Sequence, residues 1–586
     1  MYHYAPKEGI DMIMPAFTAL RKNCKKDMSA LPGCKVAILG DCATQHIAMA
    51  LKGWGYEAGL RFEVLDTDYN QIDAQTMDPA SEVYTFQPAW CVIANCTDKL
   101  YENYCDFPAA DRKNFAEVMR DRLIVVWQRL ANHCACRILQ FNFPAWDDRI
   151  FGDFGAKTPD SFAFQLRKLN YLLAESAAAY KNVFLVDLDG LQSRQGESQV
   201  RDSKMYCIAK MPFRTDFLPH LAKHITDLIL AASGSFKKCV VLDLDNTLWG
   251  GVIGDDGLDG IQIGELGLGH AFSAFQMWLK ELKNRGIILC VCSKNNEDTA
   301  KEPFEKHPEM VLRLEDISVF VANWEDKAGN IRYIQQTLNI GMDSLVFLDD
   351  NPFEREVVRS LIGNITVPDL PENPEEYVDF LRSLNLFETA SYSEEDRVRT
   401  AQYQAEAQRT LLQNQCVDYD AYLQSLEMEA EAKPFDSFHF PRIAQLTQRS
   451  NQFNLRTIRY TEQEIAAIAA DDGYVTLYFT LKDKFGDHGL ISTVIMEKQE
   501  DQLFVNTWLM SCRVLKRGME EFIINKMLST AAALGYKTVV GEYLKTPKNA
   551  MVANIYEKLG FVPTEDGRFQ ADVATFTPNR SHITEV

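Results

Sequence analysis

Between Cys34 and Asp350 the chain alternates short apolar runs with helical patterns, and that rhythm admits few folds. The runs are CKVAILG, RFEVLDT, WCVIANC, RILQFNF and NVFLVDL, then KCVVLDLDNT, GIILCVCSKN, ISVFVA and SLVFLDDN. Short, near-continuous hydrophobic runs between helices are the pattern of strands buried on both faces of a parallel sheet. Helical periodicity over 115–133 and 162–180 supplies covering layers. A chain of 586 residues exceeds what one hydrophobic core supports. The expectation is therefore multidomain α/β, with one sheet domain over 1–235 and a second over 236–388. The rhythm then changes. A polar, Ala/Gln/Arg-rich helix over 393–413 precedes three meander strands, YVTLYFTLK, GLISTVIMEKQ and QLFVNTWLM. A basic turn, CRVLKRGM, enters a long helix, and KTVVGEYL follows. Strands first and a β-α-β-α ending predict a mixed sheet over 389–586.

Composition narrows the function classes. Hydrophobic residues make up 46% and charged residues 24%, the ordinary globular mix. Lys and Arg number 61 against 82 Asp and Glu, a net charge of −21. Nonspecific nucleic-acid binding needs a cationic footprint, so that class is excluded. No apolar run reaches the roughly 18 residues of a membrane span. Pro6, Glu8 and Asp11 interrupt the start where a signal peptide needs continuous apolar sequence. A cytoplasmic protein is expected. Its 14 Cys, without a paired CxxC pattern, read as free thiols and mostly as small buried hydrophobes.

Asp243-Leu244-Asp245-Asn246-Thr247 leaves the apolar run CVVL. Two carboxylates in a strand-end turn would mean little alone. Three more pieces follow at comparable strand ends: Ser293 after IILCVC, Lys327 in NWEDK and Asp349-Asp350 after SLVFL. Ligands of open parallel sheets bind at the carboxyl ends of strands, where all four pieces converge. The residue types suit phosphoryl chemistry. An Asp carboxylate can carry a phosphoryl group covalently, and a second acid can protonate the leaving oxygen. Lys and Ser can hold phosphoryl oxygens, and Mg2+ needs only a few carboxylates.

This ordered set resembles the haloacid-dehalogenase (HAD) phosphatase superfamily. The resemblance implies Asp243 as nucleophile and Asp245 as acid/base. It implies Thr247, Ser293 and Lys327 as phosphate ligands, and Asp243, Asp245, Asp349 and Asp350 around Mg2+. Thr247 and Ser293 are 46 residues apart, and Ser293 and Lys327 34, which leaves no room for a large cap domain.

DLDNTLWGGVIGDDGLDGIQIG, CSKNNE, NWEDKAGNI and FLDDNPFERE resemble the FkbH-like branch, HAD subfamily IIIC. RSNQFNLRT, DKFGDHGLIS and SCRVLKRGMEEF extend that resemblance over essentially the whole chain. It implies loading of a glyceryl unit from 1,3-bisphosphoglycerate onto an acyl carrier protein, with loss of phosphate. A plain phosphatase acting on a phosphosugar or another phosphorylated metabolite, a carrier-docking scaffold, and an acyltransferase led by the last domain are the alternatives. An acyl intermediate on a cysteine is expected first at Cys292, beside Ser293, although strand alternation aims the two at opposite faces.

The first domain resembles an SGNH-hydrolase-like, flavodoxin-type sheet, with Gly40-Asp41-Cys42 where that family has its nucleophilic serine block. Asn95 stands where an oxyanion-hole Asn would be. Asp216 and His220 are one residue too far apart for the family's pair. Cys42 assisted by His220 is one reading, and a degenerate docking domain is the favoured one.

The last domain resembles GNAT acetyltransferases. That resemblance implies binding of CoA, or of a carrier's phosphopantetheine, through Arg513, Lys516, Arg517 and Gly518, with Asn554 and Tyr556 in a second block. Lys516 replaces a family glycine. His488 and Glu542 are candidate bases. Acyl carrier proteins are usually acidic, so docking at a net charge of −21 requires a local basic surface. Arg513, Lys516, Arg517, Lys545 and Lys548 are its candidates.

Overall fold

The computed structural model describes residues 14–586, apart from 135, 339, most of 391–417, 451, 512, 513, 547 and 548. Arg513, Lys548 and most of the helix expected over 393–413 therefore lie outside the described residues. Two compact units form, Met1–Thr400 and Ala401–Val586.

The first unit holds two parallel sheets. Strands β1 (Gly33–Gly40), β2 (Arg61–Asp66), β3 (Trp90–Ala94), β4 (Arg137–Phe141) and β5 (Val183–Val186) order as β2-β1-β3-β4-β5, every pair parallel. Strands β6 (Cys239–Leu242), β7 (Ile288–Ser293), β8 (Val319–Ala322) and β9 (Leu345–Leu348) order as β8-β7-β6-β9, also all parallel. Every residue of β3, β6, β7 and β9 is buried, as expected when helices cover both faces. One such cover is the helix Leu218–Ala232, which starts with Pro219 in its first turn and buries an Ile/Leu stripe against the first sheet.

The expected boundary near Ser235 falls between that helix and β6, but it separates two sheets rather than two compact units. Asn385 reaches back from the end of the second sheet's domain and donates to Asp227 of the helix at 2.9 Å. Helices Ile253–Gly260 and Leu268–Asn284 fill the interval from β6 to β7, and Glu297–Lys306 the interval to β8. No additional cap domain stands in either interval.

The second unit carries a mixed sheet of β10 (Met428–Ala430), β11 (Ala432–Lys433), β12 (Tyr474–Asp483), β13 (Gly486–Gln499), β14 (Gln502–Met510), β15 (Thr538–Gly541), β16 (Val562–Pro563), β17 (Phe569–Asp572) and β18 (Ile583–Glu585). β12, β13 and β14 form the antiparallel meander. The helix Met519–Ala533 then carries the chain to β15, which joins β14 in parallel. That parallel pairing spans only Gln502–Phe504 and Thr538–Val540. Further along, β14 is joined by an upstream segment. Leu455 N–H donates to Trp508 at 3.2 Å, and Met510 N–H to Phe453 at 3.1 Å.

Candidate active site at the edge of the second sheet

Register builds this site. Leu242 of β6 lies opposite Leu348 of β9, so the next residue on each strand is an aspartate, Asp243 and Asp349. Ser293 closes β7 on the other side of β6. Lys327 begins the helix Lys327–Leu338 after β8. The central strand β6, flanked by β7 and β9, thus ends in a crevice of the kind where open α/β sheets bind ligands.

The charges in the crevice do not balance. Lys327 Nζ lies 2.9 Å from Asp243 and 2.6 Å from Asp349. Asp243, Asp349 and Asp350 each offer an oxygen within 4.8 Å of the others. Three carboxylates thus share one ammonium. Burial, and then the Asp243 charge, hold the carboxyls of Asp349 and Asp350 above their ordinary range. A small buried group of hard oxygens with surplus negative charge fits a Mg2+ ion.

Asp245 is placed differently. Its Oδ1 accepts from Trp249 Nε1 and from Ile253 N–H, both at 3.0 Å. Its Oδ2 accepts from Asn295 Nδ2 at 3.0 Å. Burial raises its proton affinity against these bonds. The structure corrects the expected metal set here. The Asp245 carboxylate is held by protein donors and does not join the cluster of Asp243, Asp349 and Asp350.

Two more expectations are corrected. Thr247 is fully buried and its hydroxyl accepts from Asp350 N–H at 3.1 Å, so it fixes the second aspartate's turn rather than facing phosphate. Cys292 is also fully buried, donates its thiol to the Lys327 carbonyl, and is pushed well up by desolvation. A thiol held neutral in the core is no nucleophile.

Sequence reading missed Arg355. It is buried, and its Nη1 donates to the carbonyls of Asp349 at 2.8 Å and Asp350 at 2.7 Å. Trp249 and Asn295 were missed as well. All three lie inside segments already singled out; the Trp249 and Asn295 side chains do not suggest phosphoryl chemistry, and Arg355 sits in a charged stretch, ERE, that reads as a solvated helix face.

The first sheet's edge is self-satisfied. Asp41 accepts from Asn95 Nδ2 at 2.8 Å and from Cys96 N–H at 2.9 Å, and burial raises it to about 6. Cys42 is buried with Cys96 and Tyr206 and points at the Ala94 carbonyl. His220 lines a separate cleft with residues at the amino ends of β1, β3 and β4, such as Lys35, Trp90 and Arg137. No contact joins His220 to Cys42 among the described residues, so the proposed thiol–imidazole pair does not form.

In the second unit Arg517 of the basic turn faces inward, while Lys516 is exposed. Arg517 is buried, 3.4 Å from Asp483 and 3.1 Å from His488 Nε2, and Arg409 pairs with the same Asp483 at 2.7 Å. Lys516 adopts φ +64°, and its N–H donates to Glu520 Oε1 at 3.2 Å. Gly518, at φ +82°, takes the left-handed conformation that opens the helix Met519–Ala533. Asn554 is exposed, but Tyr556 is 1% exposed, stacked on Phe569 and packed where any side chain at 541 would stand. Arg517 and Tyr556 are therefore corrected as CoA or carrier contacts: neither reaches the surface. Of the candidate bases, His488 is held by Asp483 and Glu542 pairs with Arg456 at 2.7 Å.

The comparisons with known proteins agree with the first unit. The FkbH N-terminal domain model matches residues 35–230. The crystal structure of the N-terminal part of BF1531 from Bacteroides fragilis, described as containing a phosphatase domain complexed with Mg, is 49% identical. It covers 64% of this chain and 100% of its own, with a TM-score of 0.62. For the second unit, spermidine N-acetyltransferase from Vibrio cholerae is 12% identical over 25% of this chain and 98% of its own, at a TM-score of 0.20, too low to bear on function. No curated protein matches. Among the described residues no helix is long and apolar enough to cross a membrane. With an ordered set of acidic and basic side chains in one crevice and a relative half identical over its full length, this chain belongs to the FkbH-like family of HAD-type enzymes.

Proposed function

We propose that the chain is a Mg2+-dependent HAD-type phosphohydrolase whose substrate is a phosphorylated glyceryl or similar small acyl unit destined for an acyl carrier protein. The observation that carries the phosphate half is the crevice itself, where three carboxylates cluster, two of them on one buried lysine, beside a separately held acid. The carrier half is supported by the chain's resemblance to FkbH-like enzymes.

Asp243, Asp349 and Asp350 would hold Mg2+, which supplies positive charge for the phosphoryl oxygens. Lys327 adds a fixed charge on the same side. Asp243 attacks phosphorus, and the bond from phosphorus to the leaving oxygen breaks. Asp245 gives that oxygen its proton. A water then attacks the aspartyl phosphate, returns a proton to Asp245 and frees phosphate. With Cys292 sealed in the core, the carrier's phosphopantetheine thiol attacks the acyl carbon of 1,3-bisphosphoglycerate directly, the thiol loses its proton and the 1-phosphate leaves as inorganic phosphate, and the crevice hydrolyses the remaining 3-phosphate ester.

A plain phosphatase is the second reading, favoured by the burial of both thiols of β7, Cys290 and Cys292. One experiment separates the two. The enzyme is incubated with Mg2+, 1,3-bisphosphoglycerate and a phosphopantetheinylated carrier, and the carrier is weighed. A glyceryl adduct with phosphate release supports the proposal. Phosphate release without an adduct selects the plain phosphatase. Neither product overturns both.

A further inference from the structure

We infer that Asn295 and Trp249 are positioning residues that select which oxygen of Asp245 meets the leaving group. The inference rests on the phosphohydrolase reading and adds to it. A carboxylate oxygen has two in-plane lone pairs. Both lone pairs of Oδ1 are engaged, one by the Trp249 indole N–H and one by Ile253 N–H. Oδ2 accepts a single bond, from Asn295. Oδ2 therefore keeps the one open position and is the oxygen that carries the transferable proton.

The three donors come from different parts of the fold. Trp249 lies on the loop after β6, Ile253 opens the helix Ile253–Gly260, and Asn295 follows β7. The indole is fully buried and packs edge-on against Phe304, with ring centres 5.9 Å apart. Asn295 is 5% exposed. Neither donor can swing away without opening the core, so the carboxylate is clamped in one rotation. If Asn295 is removed, Oδ2 loses its tether and the carboxylate is held from one side only. If the indole N–H is removed, Oδ1 regains an open position and the proton has two sites, one of them facing away from substrate. In the step itself the phosphorus–oxygen bond breaks, the Oδ2 proton moves to the departing alkoxide, and Asp245 is left as the carboxylate. In this scheme Asn295 and Trp249 touch neither phosphorus nor the leaving group and act through the Asp245 carboxylate.

A poor leaving group exposes the role. An alkyl alkoxide needs the proton, whereas p-nitrophenolate departs without one. The full-length enzyme with Mg2+ is assayed for kcat/KM on 3-phosphoglycerate and on p-nitrophenyl phosphate, since kcat/KM reports the first phosphoryl transfer. Asn295→Ala is expected to lose about 30-fold on the alkyl ester and less than about threefold on the aryl ester, part of the roughly 10²–10⁴-fold that a general acid contributes in full. Trp249→Phe, which keeps the ring and removes the N–H, is expected to show the same asymmetry at about tenfold. Equal losses on both esters mean a merely structural role and overturn the inference, as does no loss on either. If Trp249→Phe fails to fold, the Asn295→Ala ratio alone decides. A wild-type enzyme inert toward both esters overturns the phosphohydrolase reading and this inference with it. A wild type active on both, with variants showing no asymmetry, overturns this inference alone.

Discussion

The crevice at Asp243 and the basic turn at Lys516 both look like anion sites in sequence, and folding treats them oppositely. In the crevice, three carboxylates share Lys327, so negative charge is left over for a cation and its phosphate. At the turn, the Arg517 guanidinium is consumed by Asp483 and His488, while the exposed Lys516 is fixed only through its backbone N–H on Glu520. Charge that finds an internal partner becomes architecture. Only charge left without one points to a ligand. The first sheet's edge repeats the lesson, since each oxygen of the aspartate after β1 is already held by a protein donor, Asn95 or Cys96.

The contrast can be broken by substitution. Asp243→Asn should lower phosphate release by about 10³-fold or more while leaving the fold intact, measured by phosphate release and circular dichroism. Activity within tenfold of wild type would remove Asp243 as nucleophile.

Asp483→Asn should do the reverse, costing about 3 kcal/mol of stability in the second unit by denaturant unfolding, because it strands two buried guanidiniums. The pH dependence has a defined sign. Burial opposes ionisation of Asp483, but His488 and Arg409 hold its carboxyl well below the ordinary range. A depressed folded value means the stabilisation is complete above the unfolded carboxylate range, near pH 4, and is lost only as pH falls through the folded value. The gap between wild type and Asp483→Asn should stay flat from pH 8 to about 5 and narrow below about 4. A gap that closes by pH 6 would show that the pair does not form.

Arg355→Ala should reduce phosphate release about tenfold and raise the Mg2+ concentration needed for half activity, because the Asp349-Asp350 turn loses its clamp. An unchanged Mg2+ titration would place Arg355 outside the site. The smallest effect is expected at the first sheet. Cys42→Ala should leave phosphate release within about twofold, and no Cys42-dependent ester hydrolysis should appear. A large loss there would mean that the two sheet edges work together.

Much of this molecule is legible in its sequence because parallel strands announce themselves. Four-residue runs such as CVVL and LVFL can bury both faces only inside a covered sheet, and their register then brings Asp243 beside Asp349. The rest depends on pairings that no local pattern carries. Asn295 meets Asp245 across 50 residues, and Arg517 meets Asp483 across 34. An asparagine among asparagines and an arginine in a basic turn look like surface until their partners are known. Cys292 failed as a nucleophile for a simpler reason. β7 stays buried to its last residue, so the thiol never reaches the surface.

Arg409 sets a practical limit on dissecting the second unit. It is joined to Asp483 across 74 positions of chain, through a bidentate pair that water does not reach. A fragment cut at Asp418, where the first complete helix of that unit is capped, would leave Asp483 with half its cationic partners inside a dry core. Such a fragment should express poorly and read as an intrinsically unstable domain. One beginning upstream of Arg409 should not, so the place of the cut would decide what a binding experiment on the isolated unit reports.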